Sequence, residues 1–117
     1  MSLFELVTGA IPIDCIVKEQ IYFVVDKKNL KNIFVNRGEK IKMLRKHIKK
    51  NVVVFPYCDT KEGFLNEVIS DRVKIKENDA LKLFINRQDT KKVKRDQEAI
   101  KNFLERIYKV NKVLFRW

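Results

Sequence analysis

Hydrophobic positions along this chain recur with two periods, and the switches between them lay out its elements. Cys15-Ile16-Val17 and Ile21-Tyr22-Phe23-Val24-Val25 are β-branched and aromatic runs separated by the polar Lys18-Glu19-Gln20, so residues 14–25 read as a hairpin. Asp26 is a suitable N-cap for a short helix through about Phe34, with Leu30, Ile33 and Phe34 on one side. Val35-Asn36-Arg37-Gly38 follows as a turn with glycine at its end. From Glu39 the period is helical: Ile41, Leu44 and Ile48 fall at i, i+3 and i+7, Met43 flanks them, and lysines and arginines fill much of the remaining circumference. Asn51 ends this helix, and Val52 to Phe55 is a buried-type strand closed by Pro56. Asp59-Thr60-Lys61-Glu62 has an acidic cap with Glu three residues later, which opens an amphipathic helix bearing Phe64, Leu65, Val68 and Ile69.

The second half repeats this order in compressed form. Val73 and Ile75 alternate with lysines, Glu77-Asn78-Asp79 is turn chemistry, and Leu81, Leu83 and Ile85 alternate again, which makes a second hairpin. After a basic stretch at 87–95, Asp96 caps a helix bearing Ile100, Phe103, Leu104, Ile107 and Tyr108, the strongest helical period in the chain. Val113-Leu114-Phe115 is a last strand. A repeat of about 55 residues implies two packed copies, because each copy alone is near the size at which a core is marginal. Phe23, Phe55, Phe64, Phe84 and Phe103 sit at core phase, whereas Tyr22, on the opposite face of its strand, and Trp117, at the terminus, are freer to stack on bases. His47, one helical turn after Met43, reads as a half-buried packing residue.

Composition narrows the chemistry. The chain has 117 residues, of which 45% are apolar, enough for a core. Its longest apolar run, Val52 to Phe55, is far short of the roughly 20 residues that span a membrane. The N-terminal segment carries Glu5 and no basic leader, so no secretory signal is expected. Cys15 and Cys58 read as reduced core thiols of a cytoplasmic protein. One histidine, no glycine-rich phosphate loop and no Ser/His/Asp series leave no enzyme to expect, and no metal, cofactor or small-molecule substrate. Charge says more. Twenty-six Lys and Arg oppose fifteen Asp and Glu, a net +11 that attracts polyanions. Seven bases lie between Arg37 and Lys50 against Glu39 alone, and five between Arg87 and Arg95 against Asp89.

Hairpin, helix, a four-residue turn ending in glycine, basic helix, strand is the order of a type II KH domain. Thr8-Gly9-Ala10-Ile11-Pro12-Ile13-Asp14-Cys15, Ile21 to Val25, Gly38-Glu39 and Val52-Val53-Val54-Phe55-Pro56-Tyr57 resemble the archaeal NusA-like proteins, which are stand-alone pairs of KH domains. Asp59-Thr60-Lys61-Glu62-Gly63-Phe64 looks like that family's acidic linker helix. The resemblance is good over residues 8–70 and mostly one of pattern over 71–117. It implies an α+β fold of two small type II KH-like domains packed together, each a three-stranded sheet with helices on one face. The first domain with its linker helix would be 1–70, and a degenerate second domain 71–117. It further implies single-stranded RNA as ligand, a role in transcription elongation, termination or antitermination, and RNA polymerase as a partner.

The site expected from this resemblance is the turn and the helix after it: Asn36, Arg37, Gly38, Lys40, Lys42 and Arg45. A KH turn lets a nucleic-acid backbone approach the main chain, and a groove beside it holds about four nucleotides. Val35 stands where the signature has its first glycine, which weakens contact through bare backbone. In the second half the matching turn is Lys91-Lys92-Val93-Lys94, without glycine, so Lys91, Lys92, Lys94 and Arg95 would meet phosphate through their side chains. Two other readings stand beside this one. A degenerate KH pair could serve as a protein adaptor on polymerase or ribosomal partners, and helix 39–50 could enter a duplex DNA groove, although its face offers almost only phosphate chemistry.

Overall fold

The apolar runs at 15–25 pair as a hairpin: β1 (Asp14–Val17) lies antiparallel to β2 (Ile21–Asp26), with Cys15 opposite Phe23 and Ile16 opposite Tyr22. The computed structural model describes residues 3–117, and the side chains of Asn32, Val35, Asn36 and Arg37 lie outside the described set. β3 (Val52–Tyr57) joins β2 in parallel, which leaves β2 at the centre of a three-stranded sheet. Pro56 is tolerated in β3 because this strand is an edge. A parallel neighbour obliges the chain to return to the end of the sheet from which it left. That return is a 3₁₀ turn at Lys27–Asn29, α2 (Leu30–Ile33) and α3 (Val35–Ile48), while α1 (Leu3–Thr8) precedes the hairpin. Asp26 caps the 3₁₀ turn, its Oδ1 accepting from the Lys28 N–H at 3.2 Å. α1, with six residues, is too short for its period to register in sequence.

Ile21, Phe23 and Val25 of β2 share one face and are buried with Phe4 of α1, Ile33 of α2, and Ile41 and Leu44 of α3. The Phe4 and Phe23 rings stack with centroids 4.1 Å apart. The opposite face carries Ile16, Tyr22, Val24 and Phe55, and these are buried too. Tyr22, expected to be free, is 3% exposed and packs its ring against Phe55.

The second unit repeats the first with an offset of sixty residues, and of sixty-one at the last strand. α4 (Lys61–Val68), β4 (Lys74–Glu77), β5 (Leu81–Phe84), a 3₁₀ turn at Arg87–Asp89, α5 (Thr90–Ile107) and β6 (Val113–Arg116) again give an antiparallel pair and a parallel third strand. Asp26 and Asn86 cap equivalent turns through the N–H two residues on. Lys49 and Lys109, also sixty apart, both end their helices in the left-handed region, at φ +63° and +58°. The repeat is therefore 60 residues rather than about 55, and the division falls between Tyr57 and Cys58 rather than after residue 70. The expected linker helix is the second copy of α1, its buried Phe64 standing where the first unit has Phe4. Its cap is Thr60 and not Asp59: Thr60 Oγ1 accepts from the Gly63 N–H at 3.0 Å.

The offset also corrects both expected turns. α3 begins at Val35, so residues 35–38 form a helical turn, not an open loop. Gly38 stands within it at a left-handed φ of +74°, and its N–H still donates to the Phe34 carbonyl at 3.3 Å. The second unit has Glu98 at the matching position and no positive φ there, and α5 runs unbroken from Thr90. Lys91-Lys92-Val93-Lys94 is accordingly helix rather than turn. Asp96 is no cap: it is buried in mid-helix and its carboxylate accepts from Arg95 Nε and Nη2, each at 3.0 Å.

In the second sheet Leu81, Leu83 and Val113 point inward and are buried, as are Val93, Ile100, Phe103 and Leu104 of α5. Phe84 is out of phase with Leu81 and Leu83, and is 41% exposed rather than part of the core. The start of α5 is tied down by Asp89, which is buried and accepts from Ser70 Oγ at 2.6 Å and from Arg72 Nε and Nη2 at 3.2 and 2.6 Å. The hydrogen bonds from Arg72 and then from Ser70 hold the Asp89 carboxyl below the ordinary carboxylate range, against the opposing effect of burial.

Two stability predictions follow from these positions. Gly38→Ala should destabilise the protein by about 1–2 kcal/mol and Gly38→Asn by less, as read from urea midpoints, because the added Cβ meets only ordinary contact at 3.9 Å and the cost is the left-handed backbone. Asp89→Asn should cost about 1–3 kcal/mol at neutral pH. Since folding lowers the Asp89 pKa, its contribution is complete above the unfolded value of about 3.9 and is lost as pH falls through the lower folded value. Urea midpoints of parent and variant should thus stay apart down to about pH 4 and draw together only as pH falls further.

Candidate nucleic-acid interface

Ile41 and Leu44 turn one face of α3 into the core, which leaves the helix's basic residues to divide between two tasks. Some brace the fold. Lys40 Nζ donates to the Thr8 carbonyl at 3.4 Å, one of the unpaired acceptors at the negative end of α1. Arg45 Nη2 donates to the Val52 carbonyl at 3.1 Å, and Lys50 Nζ to the Lys18 carbonyl at 3.2 Å. Lys42 and Lys46, one helical turn apart, stay exposed, and with Glu39, Met43 and His47 they line a shallow open hollow along α3. His47 is exposed rather than half-buried, because residues 43 and 47 belong to this outer stripe and not to the one formed by 41, 44 and 48. Asn36 and Arg37 take helical backbone, and their side chains lie outside the described residues.

Of the residues expected at the second turn, three are committed within their own unit. Lys92 Nζ donates to the Ile69 carbonyl at 3.1 Å, and Arg95 forks onto Asp96. Lys94 sits 5.2 Å from the centre of the Trp117 ring, a cation–π contact, and Trp117 stacks on Phe115 with centroids 5.8 Å apart. Lys91 is exposed. The second basic stretch is therefore largely an internal brace at the start of α5.

Nothing among the described residues groups three or more His, Cys, Asp or Glu in a way that could hold a metal ion. Cys58 is half-buried, while Cys15, on the edge strand β1, is exposed and no core thiol. No described helix is long and apolar enough to cross a membrane.

Sequence reasoning overlooked the bases of the second sheet. Lys74 and Lys76 on β4, Lys82 on β5 and Arg116 on β6 alternate with inward residues, and all but the half-buried Lys82 are exposed. Their signal was the same alternation of Leu81 and Leu83 that turns Phe84 outward.

No protein-family model and no curated protein sequence matches the chain. Among solved structures, the crystal structure of APE1850 is similar in fold, with a TM-score of 0.75 over 97% of this chain and 93% of that one, at 22% sequence identity. The shared architecture is a two-unit α+β fold.

Proposed function

We propose that this protein is a single-stranded RNA-binding module of the NusA-like type, acting in the cytoplasm in transcription elongation, termination or antitermination, with RNA polymerase as a partner. One observation carries the reading: the left-handed glycine Gly38 stands in the first turn of α3, on which Lys42 and Lys46 are exposed. A glycine there keeps a Cβ out of the backbone's path, and cations one turn apart suit successive phosphates. The resemblance over residues 8–70 and the net +11 charge point the same way. Only the first unit keeps the glycine, so binding at this turn is weak and salt-sensitive.

A second reading rests on Leu6 and Ile11, which are 69% and 72% exposed on the first unit. Apolar surface of this kind suits a protein partner, and a KH-like pair could hold polymerase or ribosomal proteins without touching RNA.

Lys42→Glu with Lys46→Glu separates the two readings without disturbing a described hydrogen bond. Single-stranded RNA should bind the parent in the micromolar range. The double variant should bind more weakly and lose about 1.4 from the slope of log K against log salt, two phosphate contacts at about 0.7 each. Fluorescence anisotropy at several salt concentrations measures both. Unchanged affinity and slope would remove the α3 site, and no binding by the parent at low salt would leave the adaptor.

A further inference from the structure

The two sheets share topology and register but expose different chemistry on the face away from the β2 and β5 inward residues. In the first sheet that face is made by Asp14, Val24 and Phe55 in one row and Ile16, Tyr22 and Val53 in the next. In the second, the matching rows are Lys74, Phe84 and Arg116, then Lys76, Lys82 and Leu114. Val24 is fully buried, whereas Phe84, its counterpart on the central strand, is 41% exposed. Three apolar positions of the first face, Ile16, Tyr22 and Phe55, have become Lys76, Lys82 and Arg116 in the second, and Asp14 has become Lys74.

This second face is costly for the protein alone. Lys76 stands directly opposite Lys82, where like charges repel across the ladder. No carboxylate occupies any of the six positions, and none of the four cations is ion-paired among the described residues. A phenyl ring on the central strand is left partly exposed between Lys74 and Arg116, its direct cross-strand neighbours. Both costs disappear against one kind of ligand, a polyanion with unpaired planar rings. Phosphates would answer the lysines, and a base would cover the ring. A duplex keeps its bases stacked internally and offers nothing to Phe84.

From this we infer that the outward face of β4, β5 and β6 is a second binding surface for single-stranded RNA, with Phe84 stacking on a base and Lys74, Lys76, Lys82 and Arg116 receiving the backbone. The inference rests on the RNA-binding reading and adds a surface that does not use the Gly38 turn.

The test uses the full chain and a labelled oligouridylate of about twelve nucleotides, within the known range of single-strand site sizes. Phe84→Leu keeps an apolar side chain and removes the ring, so it should weaken binding by about fivefold or more, while Phe84→Tyr should stay within about twofold of the parent. A strand of equal length without bases should bind parent and Phe84→Leu alike. Lys76→Glu with Lys82→Glu should lower the salt slope by about 1.4. Matching thermal midpoints for parent, Phe84→Leu and Phe84→Tyr tie the result to the ring rather than to folding. Parental affinity in Phe84→Leu overturns the sheet surface; if Lys42→Glu with Lys46→Glu still weakens binding, the α3 reading stands without it. Absence of RNA binding by the parent overturns both. Vesicles of phosphatidylserine and phosphatidylcholine that displace the RNA and bind Phe84→Leu as well as parent would assign the face to anionic lipid and also overturn it.

Discussion

The parallel pairing of the third strand in each unit is the constraint on which the rest depends. A hairpin can turn in two residues, but a strand parallel to its neighbour can form only after the chain has travelled back along the sheet. Residues 27–51 and 87–112 make that journey, and a helix covers the distance while burying a stripe on the sheet's inner face. The start of the helix is thereby held near the end of the central strand, and the turn leading into it becomes a fixed feature of the fold. Whether that turn can do anything is then a local matter of backbone. In the first unit Phe34 separates α2 from α3, and Gly38 stands left-handed in the first turn of α3; in the second, α5 runs through the matching positions as one uninterrupted helix. The same topology thus yields two helices separated at Phe34 in one copy and a single helix in the other.

Much of the architecture was legible because the strands and long helices bury one face each, and burial writes its period into the sequence. Ile41, Leu44 and Ile48, or Leu81 and Leu83, announce their elements without help. The errors came where hydrophobicity was weighed without phase, or polarity without context. Phe84 is apolar, yet the alternation it belongs to puts it outside. Asp96 resembles a cap because carboxylates favour helix starts, but Arg95 makes it acceptable in a buried helical position. Tyr22 is outward by phase and buried all the same, since a central strand can be covered on both faces.

The candidate site was less legible than the fold, for a different reason. Charge in a sequence carries no record of what a side chain will reach. In sequence Lys40, Arg45 and Lys50 look equivalent to Lys42 and Lys46, but the first three, Lys50 lying just past the end of α3, donate to main-chain oxygens, whereas Lys42 and Lys46 stay exposed. Lys92 and Arg95 are likewise spent on Ile69 and Asp96. A long basic side chain beside an unpaired carbonyl gains a charge-assisted hydrogen bond, so the density of bases overstates how many face a ligand.

Taking out the bases that brace the fold changes where the positive charge matters. Exposed bases remain on the outer stripe of α3 and on the outward face of the second sheet, and also at scattered positions such as Lys18, Lys31, Arg87, Lys91, Lys109 and Lys112. The first two places differ in kind. The α3 stripe includes Glu39 and His47 and sits beside a turn whose glycine the backbone requires, so its charges are partly balanced and its geometry is fixed from within. The sheet face has no acid and opposes Lys76 to Lys82, so its charges oppose folding slightly. Charge of the first sort is compatible with simple solvation. Charge of the second sort works against the fold that carries it, and a ligand that screens it gains free energy from the protein's own repulsion as well as from contact. A duplicated fold permits this division, since the copy with an apolar, closed sheet leaves the other free to keep a face that costs stability.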